Sequence, residues 1–196
     1  EFGKYQALAV VLFMFADISV DNIMIGYFLD QEAVAKYAFA LGILMMISKA
    51  NPSVLMRGMF SSMFTKRYTK NNSLEDLKAN YIILTKLALV VIMPLYMVLV
   101  INAEGIISLI YNEKYLDVLP LLYIGVILFI FRELIYPFNP LVNTLEKNKL
   151  FLYTGIFSIY NGLANLVLIP WIGIMGALVA TGSTGVMIFA FYLYQF

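Results

Sequence analysis

The chain has 196 residues, 62% of them hydrophobic and 13% charged, with a mean hydropathy of +0.86. That is more apolar surface than one water-soluble core of this size can hide, so the composition predicts an all-α, polytopic membrane protein. Thirteen Lys and Arg against twelve Asp and Glu leave a net charge of +1, which argues neither for nucleic acid nor for acidic macromolecules as partners, and no nucleic acid is expected. The chain has no Cys and no His, which removes disulfides, thiolate nucleophiles, the usual zinc ligands and the commonest general base. The expectation is a non-enzyme with no metal or organic cofactor. The chain opens at Glu1 without a Met and without the regions of a signal peptide, so it reads as a piece of a longer polypeptide.

Apolar runs long enough to cross roughly 30 Å of hydrocarbon at about 20 residues each fall near 5–29, 33–63, 79–101, 115–143, 150–169 and 172–195. They predict six transmembrane helices forming a single lobe over 1–196. The second and fourth are longer than a span needs and contain Pro52 and Pro137, so kinked helices that project past the bilayer are expected. Outside the spans, Lys4, Lys66, Arg67, Lys70, Lys78, Lys147 and Lys149 fall on one side, and only Lys36 and Lys114 on the other. The positive-inside rule makes the first side cytoplasmic, with both termini there, and puts Asp30, Glu32, Glu104, Glu113 and Asp117 outside.

In the first run Asp17 and Asp21 are spaced i, i+4, which would put both carboxylates on one helix face inside the bilayer. An unpartnered acid is costly there, so that face must meet protein or water. In the second run Lys49, Ser53 and Arg57 form a similar stripe beside Asn51 and Pro52. Arg57 is near enough to the inner end to snorkel. The inner loop KRYTKNNSLEDLKAN places Ser73 to cap a helix whose first turn holds Glu75 and Asp76. Lys86, in the third run, is read as a residue that reaches the headgroups. Between the third and fourth runs, NAEGIISLIYNEKYLD is too short and too mixed to span, and predicts an interfacial hairpin or short helix.

The fourth run holds Arg132 and Glu133, with Arg132, Asn139 and Asn143 on one face because seven residues make almost two turns. The fifth carries Thr154, Ser158, Asn161 and Asn165 at four- and three-residue steps. The structural reading pairs Asp17 or Asp21 with Lys49 or Arg132 and uses the Asn residues as bonds between helices. The functional reading gathers four polar stripes around a shared hydrated cavity. In the sixth run Gly176, Ala180 and Thr184 follow the small-xxx-small pattern that lets helix backbones approach closely.

The order of DNIMIGYFLDQEAVAKYAFALGI, FTKRYTKNN, SLIYNEKYLDVLPLLYIGVI, NTLEKNKL and NGLANLVLIPWIGIMGALVAT resembles the C-terminal half of polysaccharide and oligosaccharide flippases. These belong to the multidrug/oligosaccharidyl-lipid/polysaccharide exporter superfamily. The resemblance covers nearly the whole chain, and its most specific pieces lie at Asp21 to Leu29, Tyr111 to Tyr115 and Asn165 to Ala177. It implies two six-helix lobes around a cleft that carries a lipid-linked sugar from the inner to the outer leaflet of a bacterial or archaeal inner membrane. This chain supplies one lobe, so its expected partners are membrane lipids, an anionic diphosphate-linked oligosaccharide, and the missing N-terminal lobe or a second copy. The resemblance makes Lys49, Arg57, Arg132, Asn139, Asn143, Asn161 and Asn165 candidates to line the substrate cavity. Asp17, Asp21 and Glu133 are candidates for ion coupling or salt bridges, with Asp17 the better coupling candidate and Asp21 orienting the outer end of the first helix. Alternatives are a peptidoglycan-precursor flippase or multidrug exporter of the same superfamily, a membrane glycan enzyme, and a non-transporting scaffold.

Overall fold

The computed structural model describes residues 2–14, 17–71, 73–111 and 113–196, with the side chains of 2–6, 110, 111, 113 and 114 outside that description. The side-chain placements expected for Lys4, Glu113 and Lys114 therefore lie outside the described residues. Among the described residues the regular structure is helical. In chain order the helices are α1 (Phe2–Phe13), α2 (Ile18–Phe28), α3 (Gln31–Lys49), α4 (Pro52–Leu55) and α5 (Arg57–Asn71). They continue with α6 (Leu74–Tyr111), a 3-10 segment (Glu113–Val118), α7 (Leu119–Ile135), α8 (Phe138–Thr144), α9 (Lys149–Ile172) and α10 (Ile174–Gln195).

Among the described residues five stretches are long and apolar enough to cross a membrane: Ala7–Phe28, Leu74–Leu109, Tyr115–Thr144, Lys149–Ile172 and Ile174–Gln195. The expected second span, 33–63, is not among them. Its apolar part is confined to α3, whose ends carry Gln31, Glu32 and Lys49, and the chain then breaks at Asn51. There the Asn51 side chain accepts from the Ser53 amide at 2.9 Å, while Pro52 occupies the first turn of α4 and offers no amide to α3. The first run is broken as well. Asp17 is the N-cap of α2 and accepts from the Ser19 amide at 2.8 Å, so it does not sit within a continuous helix. The fourth run breaks at Tyr136 and Pro137, as its proline predicts.

Ser73 caps α6 as expected, its hydroxyl accepting from the Asp76 amide at 3.2 Å. Of the expected interfacial hairpin or short helix, the later part is the short 3-10 helix, while the earlier part belongs to α6, which runs on through Tyr111. Ala103 and Ile107 are buried, and Asn102 returns its amide to the Val98 carbonyl at 2.9 Å, so the mixed segment docks one face and stays helical. Gly173, at φ +65°, makes the turn from α9 to α10, a conformation an L side chain resists. The small stripe on α10 is buried, and a Cβ at Gly176 would collide with the backbone of Leu168 on α9. On the other side of α10, Gly182 meets Leu128 of α7.

The apolar interior forms two cores. One gathers Ile25, Tyr37, Leu41, Leu44, Ile92, Tyr96, Leu121, Phe129 and Leu178; the other gathers Phe60, Phe64, Leu77, Leu84, Phe138, Leu141, Val142, Leu150 and Tyr192. The chain crosses between them at the α3–α4–α5 and α7–α8 breaks, while α6 passes both unbroken. The basic residues collect beside the second core, where Arg67 donates to Asn80 at 2.8 Å and Thr65 meets Thr144 at 3.3 Å. At the other end Lys36 ties α3 to the 3-10 segment through Asp117 at 2.5 Å, with Glu32 at 3.1 Å.

Candidate functional site

Among the described residues, three groupings of polar side chains bear on function. The first centres on Asp21, which is 1% exposed. It accepts from the Tyr37 hydroxyl of α3 at 2.8 Å, the Asn165 amide of α9 at 2.7 Å and the Thr181 hydroxyl of α10 at 2.9 Å. Asn165 also donates to Asn161 at 2.9 Å, and Asn161 reaches Thr181 at 3.3 Å. A carboxylate drawn from water into an apolar interior costs several kcal/mol, and these neutral donors offset that cost by lining up on its oxygens. One acid thereby joins four helices.

The second centres on Glu133, also 1% exposed, at the last turn of α7. It accepts from the Ser48 hydroxyl, the Asn51 amide at 2.8 Å and the Tyr96 hydroxyl at 3.2 Å. Asn51 therefore works in two directions, capping α4 with its oxygen and holding Glu133 with its nitrogen. The break in the second run is latched to the end of α7.

The third is a cavity of about 480 Å³, within the roughly 300–1,000 Å³ range of small-molecule sites. Arg57, Asn139, Asn143, Thr154 and Tyr192 supply its polar lining, with apolar walls from α1, α9 and α10. Both helix breaks build it: Arg57 opens α5 just after the first, and Asn139 and Asn143 lie on α8 just after the second.

A family profile described as "Polysaccharide biosynthesis protein" matches residues 1–120, more than half of the chain. The chain belongs to that family. No curated protein and no solved structure matches it. With its apolar helices, this family member is a multi-pass membrane protein of polysaccharide biosynthesis.

The expected site residues divide among these places. Arg57, Asn139 and Asn143 share the cavity, while Asp21, Asn161 and Asn165 share the first cluster. Glu133 holds the second. The stripe of Lys49, Ser53 and Arg57 does not exist as a helix face, because two interruptions separate its members: Lys49 is exposed at the end of α3 and Ser53 is buried in α4. Of Arg132, Asn139 and Asn143, the two asparagines line the cavity, and the turn at Tyr136 and Pro137 lies between them and Arg132. Arg132 instead donates to the Tyr136 hydroxyl at 3.1 Å and lies 5.3 Å from the centre of the Phe129 ring. The expected pairing of Asp17 or Asp21 with Lys49 or Arg132 is likewise replaced. Asp21 takes neutral donors, and Asp17 is an exposed cap that feels the Arg132 charge only across space.

Of the fifth-run stripe, Thr154, Ser158, Asn161 and Asn165 are all buried, as their spacing predicts. Sequence reasoning missed Tyr37, Thr181, Ser48 and Tyr96. Tyr37 and Ser48 adjoin lysines, Thr181 lies in a Gly/Ser/Thr run and Tyr96 stands among apolar residues, and nothing in their spacing marks them.

Proposed function

We propose that this chain is one lobe, the C-terminal half, of a transporter that flips lipid-linked oligosaccharide from the inner to the outer leaflet by alternating access. Six helical runs make the lobe, α3–α5 counting as its interrupted second. It acts without covalent chemistry and sits in the inner membrane with both ends of this segment cytoplasmic. The cleft is completed by an N-terminal lobe or by a second copy. The observation that carries the reading is the cavity at the helix breaks, where Arg57 faces Asn139, Asn143 and Thr154. A guanidinium lining a cleft offsets part of the lost hydration of a lipid diphosphate, and amide and hydroxyl groups suit sugar hydroxyls. Discontinuous helices are also how transporters place polar groups at membrane depth.

Within this reading Arg57 is the principal cargo contact, and Lys49 and Arg132 act from outside the cavity lining. Asp21, rather than Asp17, is the better coupling candidate, because it is buried among oxygen- and amide-bearing partners on three other helices. The test is complementation. The complete reading frame is expressed in a strain lacking its own glycan flippase, and surface polysaccharide is scored for the intact protein and for Arg57→Ala at matched membrane abundance. Restored glycan that falls at least ten-fold in the variant supports the reading. Full rescue by Arg57→Ala sinks the cavity's role, and no rescue by a well-inserted intact protein sinks the cargo assignment.

A further inference from the structure

Behind the wall of the cargo cavity lies a second, separate cavity of about 470 Å³. The two are divided by α8 and the end of α10. Asn139 and Asn143 line the first cavity, whereas Phe138 and Leu141 line the second; Tyr192 lines the first, and Leu193 and Phe196 line the second. The floor of the second cavity is a buried apolar surface of Leu77, Phe138 and Leu141. Phe138 stacks there on Tyr192 with ring centres 5.0 Å apart and meets Tyr81 at 4.5 Å. Its mouth carries exposed apolar side chains that suit the bilayer, among them Leu74, Ile82 and Leu193.

The polar groups sit at one end of this cavity. Lys78 comes from the first turns of α6, and Lys147 from the α8–α9 connection, its ammonium 4.8 Å from the centre of the Phe196 ring. Glu75 and Gln195 complete the rim. This is the end of the bundle where the basic residues collect, the end that the positive-inside rule puts at the inner headgroups, and Tyr81 and Ile82, about a turn further along α6, carry the lining away from it. A rim with two cations and one acid, over an apolar slot that opens toward lipid, matches a ligand with an anionic head, hydroxyl groups and a hydrocarbon tail. An anionic headgroup matches the excess positive charge of this rim, which a neutral lipid would leave uncompensated.

We propose that this cavity is a binding site for an anionic glycerophospholipid. Its phosphate lies between Lys78 and Lys147, its headgroup hydroxyls face Glu75 and Gln195, and one acyl chain lies on Leu77, Phe138 and Leu141. Seated there, the lipid braces α8 and α10 from behind and supports the cavity wall that carries Asn139 and Asn143. The inference concerns lipid binding and stands or falls separately from the cargo assignment.

The test uses the complete protein, extracted from membranes and exchanged into nanodiscs of phosphatidylcholine containing phosphatidylglycerol or phosphatidylethanolamine. Bound lipid is counted by native mass spectrometry for the intact protein, Lys78→Gln/Lys147→Gln, and a control Lys66→Gln/Lys70→Gln that removes the same charge elsewhere at the same end. The expected result is retention of phosphatidylglycerol over phosphatidylethanolamine, reduced at least ten-fold in the first double variant and unchanged in the control. Equal retention of the two lipids, or equal loss in both double variants, would overturn the site. A photo-crosslinking residue at Leu193 should capture lipid, and capture of another stretch of protein instead would show that a polypeptide fills the slot.

Discussion

Asp21 and Glu133 are two carboxylates equally withdrawn from solvent and met by similar neutral donors, yet they do different work. The partners of Asp21 stand on helices that run unbroken through the contact, so its bonds add up to a staple holding α2 against α3, α9 and α10. Two of the partners of Glu133, Ser48 and Asn51, flank the point where the second run stops being helical. The same chemistry there fixes the angle at which the chain leaves one core for the other. A buried acid's role thus depends on whether its donors sit in a continuous backbone or at a break.

The widest test of that difference removes each carboxylate. Asp21→Ala strands Tyr37, Asn165 and Thr181, and Glu133→Ala strands Ser48, Asn51 and Tyr96, so each should cost about 2 kcal/mol, read as a lower thermal midpoint in detergent. Amide hydrogen exchange then separates them. Residues 50–56 should exchange several-fold faster in Glu133→Ala and stay protected in Asp21→Ala; a uniform rise in both would make the two acids equivalent staples. Next in size is Asn51→Ala, which loses both the cap and one bond to Glu133 and should cost about 1 kcal/mol while loosening the same residues. A loss as large as that of Glu133→Ala would mean that Asn51 alone sets the break. Smallest is Lys36→Gln at the opposite end, where the partner Asp117 is exposed, and a change of only a few tenths of a kcal/mol is expected. A loss of 2 kcal/mol there would make the tie between α3 and the 3-10 segment as important as either buried acid.

Prolines teach a related lesson. Pro94 lies inside α6 and Pro170 inside α9, and neither ends its helix. Pro52 and Pro137 do mark breaks. Beside Pro52, Asn51 gives the backbone an alternative partner, and Glu133 holds that arrangement in place. The proline is visible in the sequence, but its consequence depends on groups supplied from another helix.

What the sequence determined alone is whatever depends on near neighbours along the chain. Composition placed the protein in a membrane, hydropathy located five of the spans, Ser73 announced its cap, and the four-residue steps on α9 and α10 announced buried faces. Family membership was legible too, in the order of short motifs. The tertiary structure alone decided which polar faces meet. A helical period shows that Asn161 and Asn165 share a side, but not that the side faces Asp21 across more than a hundred residues of chain. It also decided that Lys49 is exposed, that Arg132 folds onto Tyr136, and that Asp17 is a cap rather than a buried charge. Hydrogen-bond donors are satisfied by proximity in space, and an apolar run that reads as one helix stays whole only where no nearby side chain offers its backbone something better.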